Sequence, residues 1–219
     1  MNEILEWMGV LLPGLLVSLQ LTAGLVAIGI PLGMVLALGL LSPSRILHLA
    51  ALVVVEIARG IPALVLLYVV YFGLPQFNVV LDALPAAAIA LGIGLGGFLA
   101  DIFRAGLLAV PAGQREAAAA LGLSGTTTFF RVILPQAARI TTPPVLGYVI
   151  SYFQATSLAF AVSVPELTSS AYQVASMNFR FLEVLSLAGV LYAAICITAQ
   201  HLVDRRAGND TSIIKVERN

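Results

Sequence analysis

The sequence predicts an all-α membrane protein with about five spanning helices and one polar excursion on the cytoplasmic side. Three observations carry that prediction. Of the 219 residues, 60% are hydrophobic and only 10% are charged, whereas soluble domains carry about 25% charged residues. The charges break the chain into five long uncharged windows. Once those windows are threaded through a bilayer, ten of the eleven basic residues fall on one face.

A mean hydropathy of +1.02 means more apolar surface than one water-soluble core of this size can hide, so the bilayer is the solvent that fits. Net charge is zero, which removes any global-charge reason to expect nucleic acid. The single cysteine, Cys196, lies in an apolar run. It excludes an intrachain disulfide and is read as a small buried hydrophobe. His48 and His201 have no carboxylate or thiol at ligand spacing, so no metal is expected, and no catalytic residue is assigned.

The windows are Trp7–Ser44, Gly60–Leu81, Ala83–Ala100, Ile140–Pro165 and Val184–Val203. About 20 apolar residues cross a hydrocarbon core of about 30 Å, so each window suffices for one span. Glu3 and Glu6 stand where a signal peptide carries positive charge, so the first window reads as a retained span. Its length suits a tilted helix kinked at Pro31 between Gly29 and Gly33, and leaves room for a re-entrant turn.

An odd span count puts the termini on opposite sides. With the N-terminus outside, Arg45, Arg59, Arg104, Arg115, Arg131, Arg139, Arg205, Arg206, Lys215 and Arg218 lie at or near the cytoplasm. Arg180 stays outside with Glu3, Glu6, Asp82, Glu166 and Glu183. Basic residues favour the inside, so the N-out, C-in orientation is predicted. The chain reads as one membrane domain, 1–219, without repeats or a soluble domain. Its polar tail, about 207–219 with Gly208, Asn209 and Asp210, is expected to fray. Ser163–Glu183 is expected to form an outer loop opening with a helix start: Ser163 as cap, Pro165 in the first turn, Glu166 near the positive dipole end.

Pro111–Arg139 is the one sizeable polar stretch inside the bundle. Four alanines and a leucine after Glu116 favour helix, and Gly122 can adopt the left-handed conformation that ends one. Ser124 is then placed to cap a second short helix through Thr126–Val132, with Phe129, Phe130, Val132 and Ile133 as its apolar face. Pro135 marks the return to the membrane. Two short helices joined by a glycine elbow form a docking knob, with alanines admitting a partner's backbone and Glu116 available to a partner's arginine.

The run Glu116-Ala117-Ala118-xxx-Gly122-x9-Val132-x-Leu134-Pro135 resembles the EAA loop of binding-protein-dependent ABC importer permeases. It departs only at Val132, where the family carries isoleucine. The resemblance implies a type I importer permease fold in which Glu116, Ala117, Ala118, Leu121, Gly122 and Pro135 couple to an ATPase. Further segments resemble the polar amino acid permeases: Glu56-x-x-Arg59-Gly60-x-Pro62, Asp101-Ile-Phe-Arg104-x-Gly106, Val110-Pro111-x-Gly113-Gln114, Thr156-Ser157-Leu158, Val164-Pro165-Glu166-Leu167 and Phe179-Arg180-x-x-Glu183-Val184. Together they cover about Ser18 to Arg206. Before Thr156-Ser157-Leu158 the group carries Lys-Asp or Lys-Asn, and this chain has Gln154-Ala155 instead.

Charges beside spans need partners. Glu56 and Arg59 are three apart, as are Asp101 and Arg104, so each pair shares a helix face and reads as a gate or as a structural ion pair. Gln20, Thr22 and Tyr152 are polar groups inside apolar spans. So are Gln154, Thr156 and Ser157, which follow the excursion and are the candidates for a solute pathway, with interhelical hydrogen bonding as the alternative. Gly92 and Gly96 permit close helix packing, within this chain or against a second subunit.

No Gly-Lys-Ser/Thr phosphate loop is present, so the chain itself is expected to bind no cofactor and hydrolyse nothing. The resemblance implies ATP-Mg in two copies of a partner ATPase, a second permease subunit, identical or homologous, and an extracytoplasmic solute-binding protein. It also implies an amino acid as substrate and the bacterial inner membrane as location. A permease for another polar solute keeps the coupling loop. A secondary transporter would instead show inverted repeats and mid-span acids.

Overall fold

The structure, a computed structural model, describes the backbone of residues 2–210 and the side chains of residues 3–205. Those residues form nine α-helices and no strand. Four helical runs are long and apolar enough to cross a membrane, with a fifth only if a pair bent by 104° is one span.

Helix α1, Asn2–Leu40, runs unbroken through Pro13 and Pro31. At about 1.5 Å per residue it is about 58 Å long, well beyond the hydrocarbon thickness. It makes no re-entrant turn. Gly29 and Gly33, which flank Pro31, let another helix approach closely. A methyl on Gly29 would lie 2.9 Å from Leu95 Cγ, and one on Gly33 2.8 Å from Leu99 Cβ. They admit the helix that α1 packs against most extensively.

That helix is α4, Ala83–Ala109. It passes through Asp101 and Arg104 rather than ending before them. Its small residues face neighbours on every side: Gly92 meets Ile28, Gly96 meets Leu32, Gly97 meets Ala58, Gly94 meets the Tyr152 hydroxyl and Gly106 meets Thr141. In lipid, helices associate through such close contact rather than through a hydrophobic driving force. Gly92 and Gly96 are therefore used within this chain.

The expected span at Gly60–Leu81 is not one straight helix. Helix α2, Arg45–Gly60, buries Ala51, Val55 and Ala58 against α1 and α4. Pro62 lacks an N–H and forces Ile61 into extended backbone, φ −83°, ψ 127°. The chain turns there into α3, Ala63–Tyr68, which continues through a π turn, Val69–Gly73, and a 3-10 turn, Leu74–Phe77. Residues 63–77 reach only about 22 Å and cannot cross alone.

After α4 comes α5, Ala112–Ala120. A continuous run then follows: α6, Gly125–Thr128, a π turn, Phe129–Ile133, α7, Leu134–Ala155, and a 3-10 stretch, Thr156–Val162. The second helix of the polar excursion therefore runs on into α7 rather than ending as a separate short helix. Pro135 does not break that run. It sits in the first turn of α7, directly after the π turn, where the shifted bonding pattern absorbs its missing N–H.

The expected outer loop is mostly helix as well. Helix α8, Leu167–Asn178, packs against α1 and α9, Phe181–Asp210. Trp7, Leu11, Leu167, Ala171, Val184 and Ala188 make a second apolar cluster there. Of the tail expected to fray, Gly208, Asn209 and Asp210 belong to α9; residues 211–219 lie outside the described ones.

Candidate functional site

Helix α5 is framed by Pro111, in extended backbone at its start, and Gly122, at φ +72°, beyond its end. Leu123 N donates to Ala118 O at 3.1 Å and Gly122 N to Ala119 O at 2.9 Å. This paired closure needs a left-handed residue, which glycine supplies without strain. Ser124 then caps α6, its Oγ accepting from Thr127 N at 3.3 Å. The expected glycine elbow is present, with four residues, Leu121 to Ser124, between α5 and the run that α6 begins.

The elbow has an inner and an outer side. Ala118 is buried against the bundle, while Glu116, Ala117 and Gly122 are exposed and Leu121 is 78% exposed. Two bonds that the sequence reading did not single out hold α5 to the spans. Gln136 Nε2 donates to Gln114 Oε1 at 3.1 Å, and Arg115 Nη2 donates to Leu107 O at 3.2 Å. The only sequence signal for them was that Gln114, Arg115 and Gln136 are polar residues flanking the alanine run. Pro135 is exposed, but it stands at the base of α7 and not on the elbow's tip.

The two expected ion pairs resolve differently. Arg59 bonds Glu56 at 3.0 Å and also bonds Asp101 on α4. Asp101 therefore pairs across helices with Arg59, and Arg104 is exposed with no carboxylate partner among the described residues. Tertiary packing of Gly97 against Ala58 brings α2 and α4 close enough for this cross-helix bond. Spacing along one helix cannot reveal it.

Arg59 also lies on a cavity of about 320 Å³ between the α2–α3 elbow, α4 and α7, whose lining includes Pro62, Phe98, Ser151, Tyr152 and Ala155. Phe98 and Tyr148 stack beside it, with ring centroids 5.2 Å apart. The three residues expected on a pathway are not on this lining. Gln154 is exposed, its Nε2 3.5 Å from Cys196 Sγ. Thr156 is fully buried with its hydroxyl on Phe153 O at 2.7 Å, and Ser157 bonds Gln154 O at 2.8 Å. The cavity takes the neighbouring face of the same segment.

Glu166 was expected in an outer loop. It stands at the helix start expected there, is 0% exposed and caps α8 itself, accepting from Thr168 N and Ser169 N at 2.8 Å each and from Tyr192 Oη at 2.7 Å. Ser18 Oγ lies 3.5 Å away and also accepts from Leu167 N at 3.2 Å. Ser163, expected as the cap, has left-handed backbone at φ 64° and closes the preceding 3-10 stretch.

At the far end of α1, Arg180 bonds Glu183 and, at 2.5 Å, Glu3, and lies over the Trp7 ring at 4.9 Å from its centroid. The carboxylates of Glu183 and Glu3 hold its guanidinium above the ordinary arginine range.

Comparison with known proteins gives the setting. A model of binding-protein-dependent transport system inner membrane components matches residues 29–207. The L-cystine transport system permease protein TcyB of Bacillus subtilis (strain 168) is 36% identical over 197 residues, covering 88% of this chain and 84% of that one. The octopine transport system permease protein OccM of Rhizobium radiobacter is 39% identical over 191 residues, covering 83% and 78%. Among solved structures, an amino acid ABC transporter with histidines superposes with a TM-score of 0.84 at 30% identity, covering 93% of this chain and 95% of that one. An inward-facing MetNI methionine ABC transporter gives 0.73 over 90% and 94% at 24% identity, a likeness of fold.

Proposed function

The chain belongs to the family of binding-protein-dependent transport system inner membrane components, and from that premise we propose that it is the permease subunit of an ATP-driven importer for an amino acid. The observation that carries the coupling role is the α5–Gly122–α6 elbow. It is braced from behind by Gln136 and Leu107, with Glu116, Ala117 and Leu121 turned away from the bundle. A rigid knob at the end of α4 and the start of the α6–α7 run is well placed to transmit a partner's closure to two helices at once.

On this reading two copies of an ATPase hold the ATP-Mg, and each grips one elbow through Glu116, Ala117, Leu121 and Gly122, while Ala118, expected on that surface, is buried and seats α5 on the bundle. Pro135 serves at the root of the lever. A second permease subunit, identical or homologous, completes the pathway, because one such bundle leaves little room for a polar route of its own. A binding protein delivers the solute on the outer face, where Arg180 ties the α8–α9 turn to the start of α1. The N-terminus is outside and the C-terminus cytoplasmic, as the basic residues favour. Substrate passes near Gln154 and Ser157 and the cavity at Arg59, and the Arg59–Asp101 bond lies where a cytoplasmic gate would act.

The named relatives carry cystine and octopine, which supports an amino acid or amino acid derivative here. The test is uptake of labelled amino acids into proteoliposomes holding the permease, its ATPase and its binding protein. ATP-dependent accumulation of one of them is expected. Transport that proceeds without the ATPase overturns the proposal.

A further inference from the structure

A groove of about 930 Å³ lies behind the coupling helix, a volume typical of ligand sites. It is walled by Leu41 at the end of α1, Leu107 and Leu108 at the end of α4, Ala119 and Arg115 on the inner side of α5, and Phe129 on the π turn. Both α1 and α4 finish here, at Leu40 and Ala109, so the groove lies at one end of both spans. It is separate from the outward side of α5 and from the cavity at Arg59. We propose that it seats an anionic phospholipid, with an acyl chain among the leucines and the phosphate on Arg115.

Three features select that occupant. The polar lining is confined to Arg115, Ser42 and Thr128. A buried peptide needs a partner for almost every amide it brings, whereas an acyl chain needs none. Arg115 spends one donor on Leu107 O and has no carboxylate partner among the described residues, so most of its five donors remain for a phosphate. The stretches of chain that supply the lining, 38–45 and 104–133, hold four arginines, of which Arg115 lines the groove, against the single acid Glu116. Basic pockets between helices on the cytoplasmic side suit anionic headgroups. A lipid seated there fills the space between the lever and the two span ends, so that a push on α5 is transmitted rather than absorbed. The assignment does not depend on which solute is carried.

The test is lipid retention by the full-length permease in detergent, followed by native mass spectrometry with phosphatidylglycerol and phosphatidylcholine of matched chains. Wild type is expected to retain phosphatidylglycerol about fivefold over phosphatidylcholine, the factor one basic residue supplies near a membrane surface. Arg115→Gln should bring that ratio to about one, and Arg115→Lys should keep most of it. Leu108→Trp, which fills the groove, should lose retained lipid of both kinds. Equal retention of the two lipids by wild type, an unchanged ratio in Arg115→Gln, or full retention in Leu108→Trp each overturns the proposal.

Discussion

Tyr192 donates its hydroxyl to Glu166 at 2.7 Å, joining α9 to the first turn of α8 around a carboxylate that solvent does not reach. Ser18 on α1 takes the adjacent Leu167 N–H. Three helices thus meet at one capped helix start. A buried carboxyl group is tolerated only when its hydrogen-bonding capacity is filled, and here two backbone N–H groups and a phenol fill it.

Removing that carboxylate leaves the two N–H groups and Tyr192 without their acceptor. Glu166→Ala is expected to cost about 3 kcal/mol or more, read as a lower midpoint in thermal unfolding of the detergent-solubilised chain. Tyr192→Phe should cost about 1 kcal/mol. An unchanged midpoint for Glu166→Ala would refute the anchoring role.

A methyl at Gly106 would collide with Thr141 Cγ2 across the α4–α7 contact, while one at Gly147 meets nothing within 4 Å. Gly106→Ala should destabilise by about 1–3 kcal/mol, and adding Thr141→Ser, which deletes the offending methyl, should restore most of it. Gly147→Ala should be neutral or slightly stabilising. The same thermal assay separates the three.

Glu116→Lys and Gly122→Pro should insert normally yet uncouple uptake from ATP hydrolysis. Gly122→Ala, which forces a Cβ onto a left-handed residue at a cost of about 1–2 kcal/mol, should weaken coupling less than Gly122→Pro. Paired hydrolysis and uptake rates in proteoliposomes measure this. Normal coupled uptake by Glu116→Lys and Gly122→Pro would rule out docking at the elbow.

Arg59 serves two carboxylates, so Arg59→Gln leaves Glu56 and Asp101 facing each other uncompensated, whereas Asp101→Asn leaves the Glu56 bond intact. At this partly exposed position Arg59→Gln should cost about 1 kcal/mol and Asp101→Asn less. Arg59→Gln combined with Asp101→Asn should be milder than Arg59→Gln alone. Equal effects of the two single changes would argue against the shared arginine.

Orientation is open to direct labelling. With Cys196 replaced by alanine, Thr127→Cys should react with an impermeant thiol reagent only from the cytoplasmic side. Phe179→Cys, at an 86% exposed position, should react only from outside. The opposite pattern would invert the assigned topology.

How much of this was legible beforehand depends on the range over which each residue acts. The elbow was readable because its causes are local: an alanine run, a glycine that takes φ +72° without strain, and a serine three residues before the N–H it caps. The Asp101 pairing was misassigned to Arg104 because i, i+3 spacing describes one helix, and the true partner lies on α2. Glu166 was readable as an acid at the positive end of a helix start, but not its burial, because Tyr192 and Ser18 reach that start from other helices.

By itself the sequence determined that the chain lives in a bilayer, where its apolar windows fall, and that a helix–glycine–helix knob interrupts them, since hydropathy and backbone propensity are properties of short segments. Tertiary structure alone decided that α1 and α4 lock through their glycines, that Asp101 pairs with Arg59 on α2, and that a carboxyl group sits sealed beneath α8. Those outcomes rest on which surfaces meet across space, and contact distance between helices is not written in the spacing of residues along any one of them.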